Sequence, residues 1–317
     1  MNAIRPALSI VVPLYNSAET LPRLLEELGA LRFDGGHEIV LVNDGSRDAT
    51  EQIALDLIQN CAVPVTFVNL SRNFGEHSAV LAGLRASNGE FVVTMDDDLQ
   101  NPPSEIAKLL AAALAEKREV IYSAFDEKKH PGWRNLGSSL TNFFANWSID
   151  KPKGLYLSSF RCLSRFVADE IAQSTNPNPY IDGLIFQVTQ NVGVVTVRHD
   201  VRSAGKSGYT LRALLRLWVS MLINASVMPL RIATFIGIAM SAVGFVAFIA
   251  VLINHFLTRE PLGWGSLMAA LLVFSGTQLL LLGVVGEYVG RTYLRVSEKP
   301  QSVVRYQTKN RQTDTSP

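Results

Sequence analysis

Two long stretches without a charged side chain constrain this 317-residue chain more than any other feature. The first runs from Ile232 to Leu257, where only His255 can gain a charge, and the second from Pro261 to Gly286. A helix of about 20 residues rises about 30 Å, the thickness of a bilayer's hydrocarbon core. Soluble core helices rarely run so far without a charge. We therefore predict a hairpin of transmembrane helices at 232–257 and 261–286, with a pair of buried core helices as the alternative.

Basic residues flank the outer ends of this predicted hairpin, whereas the link between the two helices contains Arg259 alone. The flanking cations are Arg212, Arg216 and Arg231 before it and Arg291, Arg295, Lys299 and Arg305 after it. The positive-inside rule then places both termini in the cytoplasm, at the inner (plasma) membrane. Leucines and Trp218 fall on one side of 209–231 and arginines on another, which predicts an amphipathic helix lying in the membrane interface. Residues 287–317 are predicted as a cytoplasmic tail, disordered from Gln307 on.

The first 208 residues alternate between short apolar runs and helical spacing. Predicted strands are Ser9–Leu14, Glu38–Val42, Val65–Leu70, Glu90–Met95 and Val120–Ser123, and predicted helices include Ser17–Leu31 and Glu76–Ala86. Asp48 and Glu51 predict a capping box for another helix. This alternation predicts a Rossmann-like α/β domain with a mostly parallel sheet, in which ligands bind beyond the carboxyl ends of the strands.

Composition removes several classes of protein. A net charge of +1 and a pI of about 7.8 show no basic footprint for nucleic acid. Two cysteines exclude a disulfide scaffold and a Cys-rich zinc site. No glycine-rich dinucleotide or P-loop pattern follows a predicted strand, which argues against both of those folds.

Polar residues follow each predicted strand, and the fourth is followed by Asp96, Asp97, Asp98 and Gln100. Three consecutive aspartates repel one another unless a cation offsets their charge. Carboxylates suit Mg²⁺ or Mn²⁺, which keep several waters and often bind substrate phosphates as well. The sequence therefore predicts a divalent-metal site here. The alternative is an acidic turn that caps the helix beginning at Pro103.

Four segments resemble family 2 glycosyltransferases of the GT-A fold. They are Ile10–Leu21 (IVVPLYNSAETL), Val42–Asp48 (VNDGSRD), Asn73–Gly83 (NFGEHSAVLAG) and Met95–Pro103 (MDDDLQNPP). With the two apolar stretches added, residues 8 to 305 resemble the polyprenyl-phosphate glycosyltransferases, the group of dolichyl-phosphate mannose synthase and the GtrB-like enzymes. The resemblance implies inverting transfer of a sugar from a nucleotide sugar, with UDP as the expected nucleotide, to polyprenyl (undecaprenyl) phosphate at the cytoplasmic membrane face. The lipid-linked product would serve modification of cell-envelope glycans.

The resemblance also implies roles for residues of the donor site. Pro13, Tyr15, Glu19 and Asp97 would contribute to the nucleotide pocket, Asp44 would bind the base, and Asp96 and Asp98 match the DxD pair that binds metal and nucleotide, with Gln100 as a further metal contact. Asp98 is the member of this set that we expect to be catalytic.

The resemblance also implies three cationic residues that we expect to be catalytic. Arg161 matches the arginine of a Phe-Arg element. Arg202 and Lys206 belong to a segment similar to R-x-x-G-x-S, which handles phosphate near the membrane, and they are the candidates for holding the acceptor phosphate. Homo-oligomerisation through the membrane part is a further implication.

Two departures from the family pattern leave other functions open. Many relatives carry an aspartate, often named as a base, shortly before the Phe-Arg pair, but Gly154–Ser159 contains no carboxylate. Gly208 replaces a lysine of the phosphate-handling segment. A phosphomonoester acceptor is largely a dianion at pH 7, so the reaction does not require a base. The alternatives are a membrane-anchored transferase acting on a glycan and a scaffold that binds nucleotide sugars without catalysis.

Overall fold

The computed structural model describes two compact units, residues 1–209 with 300–317 and residues 210–299. The described residues are 5–125, 155, 157–177, 179–200, 234–235, 237–239, 242–246, 249, 253, 257, 263–296 and 300–310. Outside them lie the predicted interfacial helix at 209–231, half of the first predicted membrane helix, and both Arg202 and Lys206.

One eight-stranded mixed sheet forms the centre of the first unit, in the order β7-β5-β6-β4-β1-β2-β3-β8. The strands are β1 Leu8–Leu14, β2 His37–Asn43, β3 Val65–Leu70, β4 Phe91–Thr94, β5 Val120–Phe125, β6 Arg161–Ser164, β7 Val192–Val197 and β8 Val304–Lys309. Strands β3, β2, β1 and β4 are parallel neighbours, as are β5 and β7, whereas β6 and β8 are antiparallel to the strands beside them. The prediction of a mostly parallel sheet is therefore confirmed.

Helices connect the strands of the first unit. They are α1 Leu21–Ala30, α2 Thr50–Ile58, α3 Glu76–Ala86, α4 Ile106–Glu116 after a 3₁₀ turn at Pro103–Glu105, α5 Arg165–Ala172 and α6 Ile181–Val188. Helix α1 lies within the predicted helix Ser17–Leu31, and its residues Leu21, Leu24, Leu25 and Leu28 are all buried. Every residue of β2 is buried, including the polar His37, Glu38 and Asn43 at its two ends, as expected for a parallel strand covered on both faces.

The predicted capping box is wrong. The N-cap of α2 is Ala49, with no side-chain cap. Asp48 instead accepts hydrogen bonds from the main-chain N–H groups of Thr50 (3.1 Å) and Ala18 (3.2 Å). The carboxylate therefore ties the start of α2 to the loop that follows β1.

The prediction of disorder from Gln307 is also wrong for residues 307–310. They belong to β8 and its end, and β8 pairs with β3. The Tyr306 hydroxyl donates to Glu51 (2.6 Å), and the Asn310 side chain donates to the carbonyl of Val63 (2.8 Å). Residues 304–309 thus form an edge strand of the sheet.

A 33-residue helix, α7 (Trp264–Val296), occupies the second unit and confirms a helix at the second apolar stretch. Large apolar side chains along it are exposed, among them Leu267, Leu271, Phe274, Leu279, Leu282 and Val285. In the part of the chain that the structure describes, no helix meets the combined length and hydropathy requirements for crossing a membrane.

Candidate functional site

The loops that follow β1 and β2 meet at one edge of the sheet, as the strand-end argument predicts. The N–H of Asn16 donates to the Ser46 hydroxyl (3.0 Å), and the N–H of Arg47 donates to the Asn16 side chain (2.9 Å). Ser17 is linked in the same way to Thr50 (N–H to Oγ1, 2.8 Å). These hydrogen bonds therefore fix the loop after β1 relative to the loop after β2.

Predicted nucleotide-pocket residues lie at this edge with part of their surface accessible. Pro13 is half-buried near the end of β1, while Tyr15 and Glu19 are exposed in the loop that follows. The accessible phenol ring of Tyr15 is 45% exposed, which leaves an apolar face for a planar ligand. Their contact with a nucleotide remains a prediction.

Asp44, the predicted base-binding residue, is buried at the end of β2. Its Oδ1 accepts from the N–H of Phe74 (2.7 Å) and its Oδ2 from the N–H of Gly75 (2.9 Å). Burial raises the pKa of Asp44, while these two N–H groups act in the opposite direction. Asp44 thus holds the loop after β3, a role that the sequence did not indicate.

The three aspartates after β4 differ in their partners. Asp97 accepts a hydrogen bond from the Ser17 hydroxyl, which joins it to the β1 loop. Asp96 accepts from the Ser159 hydroxyl (2.6 Å), and Asp98 accepts from the N–H of Gln100 (3.1 Å). Burial raises the pKa of Asp97, and the charges of its two neighbours add to this effect.

Glu76, the first residue of α3, joins the acidic group, although the sequence analysis did not single it out. The pKa of Glu76 is raised to about 7, chiefly by desolvation; the nearby charges of Asp96 and Asp97 act in the same direction and that of Arg161 in the opposite one. The side chain of Glu76 is exposed, so solvent screens part of these interactions. Its place in the quoted Asn73–Gly83 motif, directly after a strand-end loop, was the available signal.

The donor set fits a hard divalent cation. Two carboxylates and an amide, Asp96, Asp98 and Gln100, follow one strand, and the negative charges of the two carboxylates raise the pKa of Asp97 between them. Mg²⁺ commonly binds through one or two carboxylates while keeping waters. Within the described ranges, no group of three or more His, Cys, Asp or Glu side chains has metal-binding geometry.

Arg161 lies in β6 and is buried. Its guanidinium forms an ion pair with Asp182, which also accepts from the Tyr122 hydroxyl (2.9 Å), and its Nε donates to the Thr94 hydroxyl (3.4 Å). These contacts place Arg161 in the core beside β4. A direct role of Arg161 in catalysis stays a prediction.

The chain that precedes the predicted phosphate-handling segment meets the aspartate loop. The N–H of Asp200 donates to the Gln100 carbonyl (2.8 Å), and the His199 ring lies 3.4 Å from the Asn101 side-chain oxygen. Arg202 and Lys206 follow within a few residues, outside the described ranges.

Comparisons with known proteins match both parts of the chain. Residues 9–171 match "Glycosyl transferase family 2", and residues 228–292 match the "GtrB C-terminal hairpin". A relative from Pseudomonas aeruginosa, undecaprenyl-phosphate 4-deoxy-4-formamido-L-arabinose transferase, is 33% identical over 308 residues, covering 92% of this chain and 88% of its own. The uncharacterized glycosyltransferase YkcC of Bacillus subtilis is 33% identical over 303 residues, covering 93% of this chain and 92% of its own.

A solved structure supports the fold of the first unit. It is glucosyl-3-phosphoglycerate synthase from Mycobacterium tuberculosis, crystallised with Mn²⁺, UDP-glucose and phosphoglyceric acid. The TM-score is 0.51 at 19% identity, over 70% of this chain and 79% of that one. At this identity the likeness shows the fold alone.

Proposed function

Because the chain belongs to glycosyl transferase family 2 and carries a GtrB C-terminal hairpin, we propose that it transfers a sugar from a nucleotide sugar to undecaprenyl phosphate. The lipid-linked sugar then serves modification of cell-envelope glycans. The observation that carries this proposal is the 33% identity to an undecaprenyl-phosphate sugar transferase across 92% of the chain, which includes both units. UDP is the expected nucleotide of the donor.

The reaction is a single displacement at the anomeric carbon. A phosphate oxygen of the acceptor forms the new bond to that carbon while the bond to the nucleoside diphosphate breaks, and the leaving group takes the electron pair. The second pKa of a phosphomonoester is about 6, so the acceptor is largely a dianion at pH 7 and needs no base. One displacement inverts the configuration at the anomeric carbon. Because the dianionic acceptor has no proton to lose, the absence of a carboxylate in Gly154–Ser159 is compatible with catalysis.

Different residues at the sheet edge bind different parts of the donor. Tyr15, Pro13 and Glu19 line the nucleotide pocket, with Asp97 fixed beside them by its bond to Ser17. Asp44 binds the base with lone pairs that its two main-chain N–H partners leave unused.

Asp96, Asp98 and Gln100 would hold Mg²⁺ or Mn²⁺. When bound, such an ion offsets the charge that develops on the leaving diphosphate. The hydrogen bond from the N–H of Gln100 to Asp98 supports this role, because it restrains the carboxylate. Arg161, buried behind the acids and paired with Asp182, lowers the pKa of Glu76 and so favours the ionised cluster.

The acceptor reaches the site from the membrane. We assign phosphate binding to Arg202 and Lys206, which the sequence places shortly after the residues that contact the aspartate loop. The uncharged stretches at 232–257 and 261–286, the GtrB hairpin match and the exposed leucines of α7 support a membrane-spanning hairpin with the catalytic unit in the cytoplasm. We extend the proposal to contacts between copies of the chain through this hairpin, with membrane lipid around it.

A transfer assay tests the proposal. The full-length chain in detergent is mixed with radiolabelled UDP-sugars, including UDP-4-deoxy-4-formamido-L-arabinose, and undecaprenyl phosphate. Label should pass into the organic-soluble lipid with Mn²⁺ or Mg²⁺ and not with EDTA. Undecaprenol, which has the same tail but no phosphate, serves as the control acceptor. Transfer to a glycan but not to lipid phosphate, or binding of nucleotide sugar without turnover, would contradict the proposal.

A further inference from the structure

The register of β4 and β6 brings a serine to the acidic loop. The two strands are antiparallel, with Val93 opposite Cys162 and Thr94 opposite Arg161. In an antiparallel pair, each step forward along one strand is a step backward along the other. Two steps beyond the last pair, Ser159 therefore comes beside Asp96.

Hydrogen bonds on both sides fix the main chain around this serine. The Thr94 hydroxyl donates to the Ser159 carbonyl (2.6 Å). The neighbouring Ser158 hydroxyl accepts from the N–H of Phe160 (3.1 Å) and from the Ser123 hydroxyl (2.8 Å). Because Ser158 and Phe160 are both buried, the position of Ser159 is set by the sheet and not by its own bond to the acid.

The Ser159 hydroxyl donates to Oδ2 of Asp96 over 2.6 Å. A hydrogen bond to the ionised form of a carboxylate favours that form and orients its oxygens. A carboxylate oxygen has two lone pairs, so accepting from a hydroxyl leaves it able to bind a cation.

We propose that Ser159 is a positioning residue that holds the Asp96 carboxylate in the orientation required for the divalent cation. The proposal rests on the metal site of the proposed function. Ser159 immediately precedes the Phe160–Arg161 pair, in the stretch where the family resemblance led us to expect a carboxylate. A carboxylate at 159 would add a negative charge against Asp96, whereas the hydroxyl donates to it. The site therefore uses this position for alignment and not for proton removal.

Mn²⁺ binding by the full-length chain in detergent tests the proposal. Free Mn²⁺ is measured by its EPR signal during titration in the presence of UDP. Ser159→Ala should weaken Mn²⁺ binding roughly tenfold, since losing a partner of a metal ligand typically costs 10–100-fold in affinity. Ser159→Thr keeps a hydroxyl, so its Mn²⁺ affinity should stay within about threefold of wild type, a smaller loss than that expected when the partner is removed. Ser123→Ala, the matched control, removes a buried hydroxyl bonded to the same loop without touching Asp96 and should bind Mn²⁺ as wild type does.

Two further measurements separate alignment from a folding defect. UDP binding in EDTA should be equal in all four proteins. The Mn²⁺ concentration for half-maximal transfer should rise for Ser159→Ala in proportion to its weaker binding, with kcat at saturating Mn²⁺ recovering most of its value. Equal Mn²⁺ affinity of Ser159→Ala and wild type would overturn the proposal, as would an equal loss in Ser159→Thr or in Ser123→Ala. If wild type itself binds no Mn²⁺, the metal site is wrong and this inference falls with it.

Discussion

Replacing Gly45 with alanine should disrupt the nucleotide site through the main chain. Gly45 follows Asp44 and has a φ of 62°, which alanine adopts only with strain. An added Cβ would lie 2.4 Å from the carbonyl carbon of Arg72 and 2.5 Å from the nitrogen of Asn73. Both atoms belong to the backbone, so the loop after β3 must move. That loop supplies the N–H groups of Phe74 and Gly75 that bind Asp44.

The expected loss in the free energy of unfolding follows from these contacts. The left-handed conformation costs an alanine about 1 kcal/mol or slightly more. Displacing the loop weakens two hydrogen bonds to a buried carboxylate, each worth about 1.5–3 kcal/mol. Gly36→Ala is a matched control, because Gly36 has a φ of 75° but an added Cβ meets nothing within 4 Å. The two variants share the conformational cost, so Gly45→Ala should be less stable than Gly36→Ala by about 3 kcal/mol.

Thermal unfolding and UDP binding measure the difference. For a unit of this size, 3 kcal/mol corresponds to a melting temperature about 6–12 °C lower for Gly45→Ala than for Gly36→Ala. UDP affinity should fall with Gly45→Ala, because Asp44 loses its orientation, and should not change with Gly36→Ala. Equal melting temperatures and equal UDP affinities of the two variants would refute the reasoning.

Three further changes test other parts of the site and fold. Asp98→Ala should abolish sugar transfer without affecting recovery in membranes, and near-normal turnover would rule out the metal assignment. Because the pKa of Glu76 is raised from 4.5 to about 7, its charge opposes folding increasingly as the pH rises through that window. Without metal, Glu76→Gln should thus raise the melting temperature at pH 8 and leave it unchanged near pH 4.5; a gain equal at both pH values would contradict this. Ending the chain at Lys299, which removes β8, should lower the melting temperature of the first unit, whereas a chain ending at Asn310 should match wild type; equal stability of both would show that β8 is dispensable.

Local sequence pattern predicted the parts of the fold that local physics determines. Strand β3 was predicted with its observed bounds, because a strand buried on both faces is rich in apolar and β-branched residues. Helix α3 was predicted in the same way from its own residues. The three aspartates after β4 could be singled out from the sequence alone. Adjacent carboxylates repel one another unless a cation offsets their charge, whatever the fold of the rest of the chain.

Strands β6 and β8 were not predictable in this way. Strand β6 has four residues and β8 alternates between exposed and half-buried positions, so neither has a strong pattern of its own. Each is stabilised by a neighbour distant in sequence, and strand propensity depends strongly on such context. The contact of Ser159 with Asp96 was hidden for the same reason, because it depends on the register of β6 against β4.

The placement of β6 changes which residues can reach the site. In a sheet of parallel strands, only residues that follow strands arrive at the ligand-binding edge. Because β6 is antiparallel to both β4 and β5, it begins at the edge where those two strands end. Residues that precede β6 therefore meet residues that follow β4, and a hydroxyl from Ser159 comes to lie against the carboxylate of Asp96. The antiparallel direction of β6 thus brings Ser159 to the aspartate loop from one side, while the bond between Asp97 and Ser17 ties that loop to the residues that follow β1.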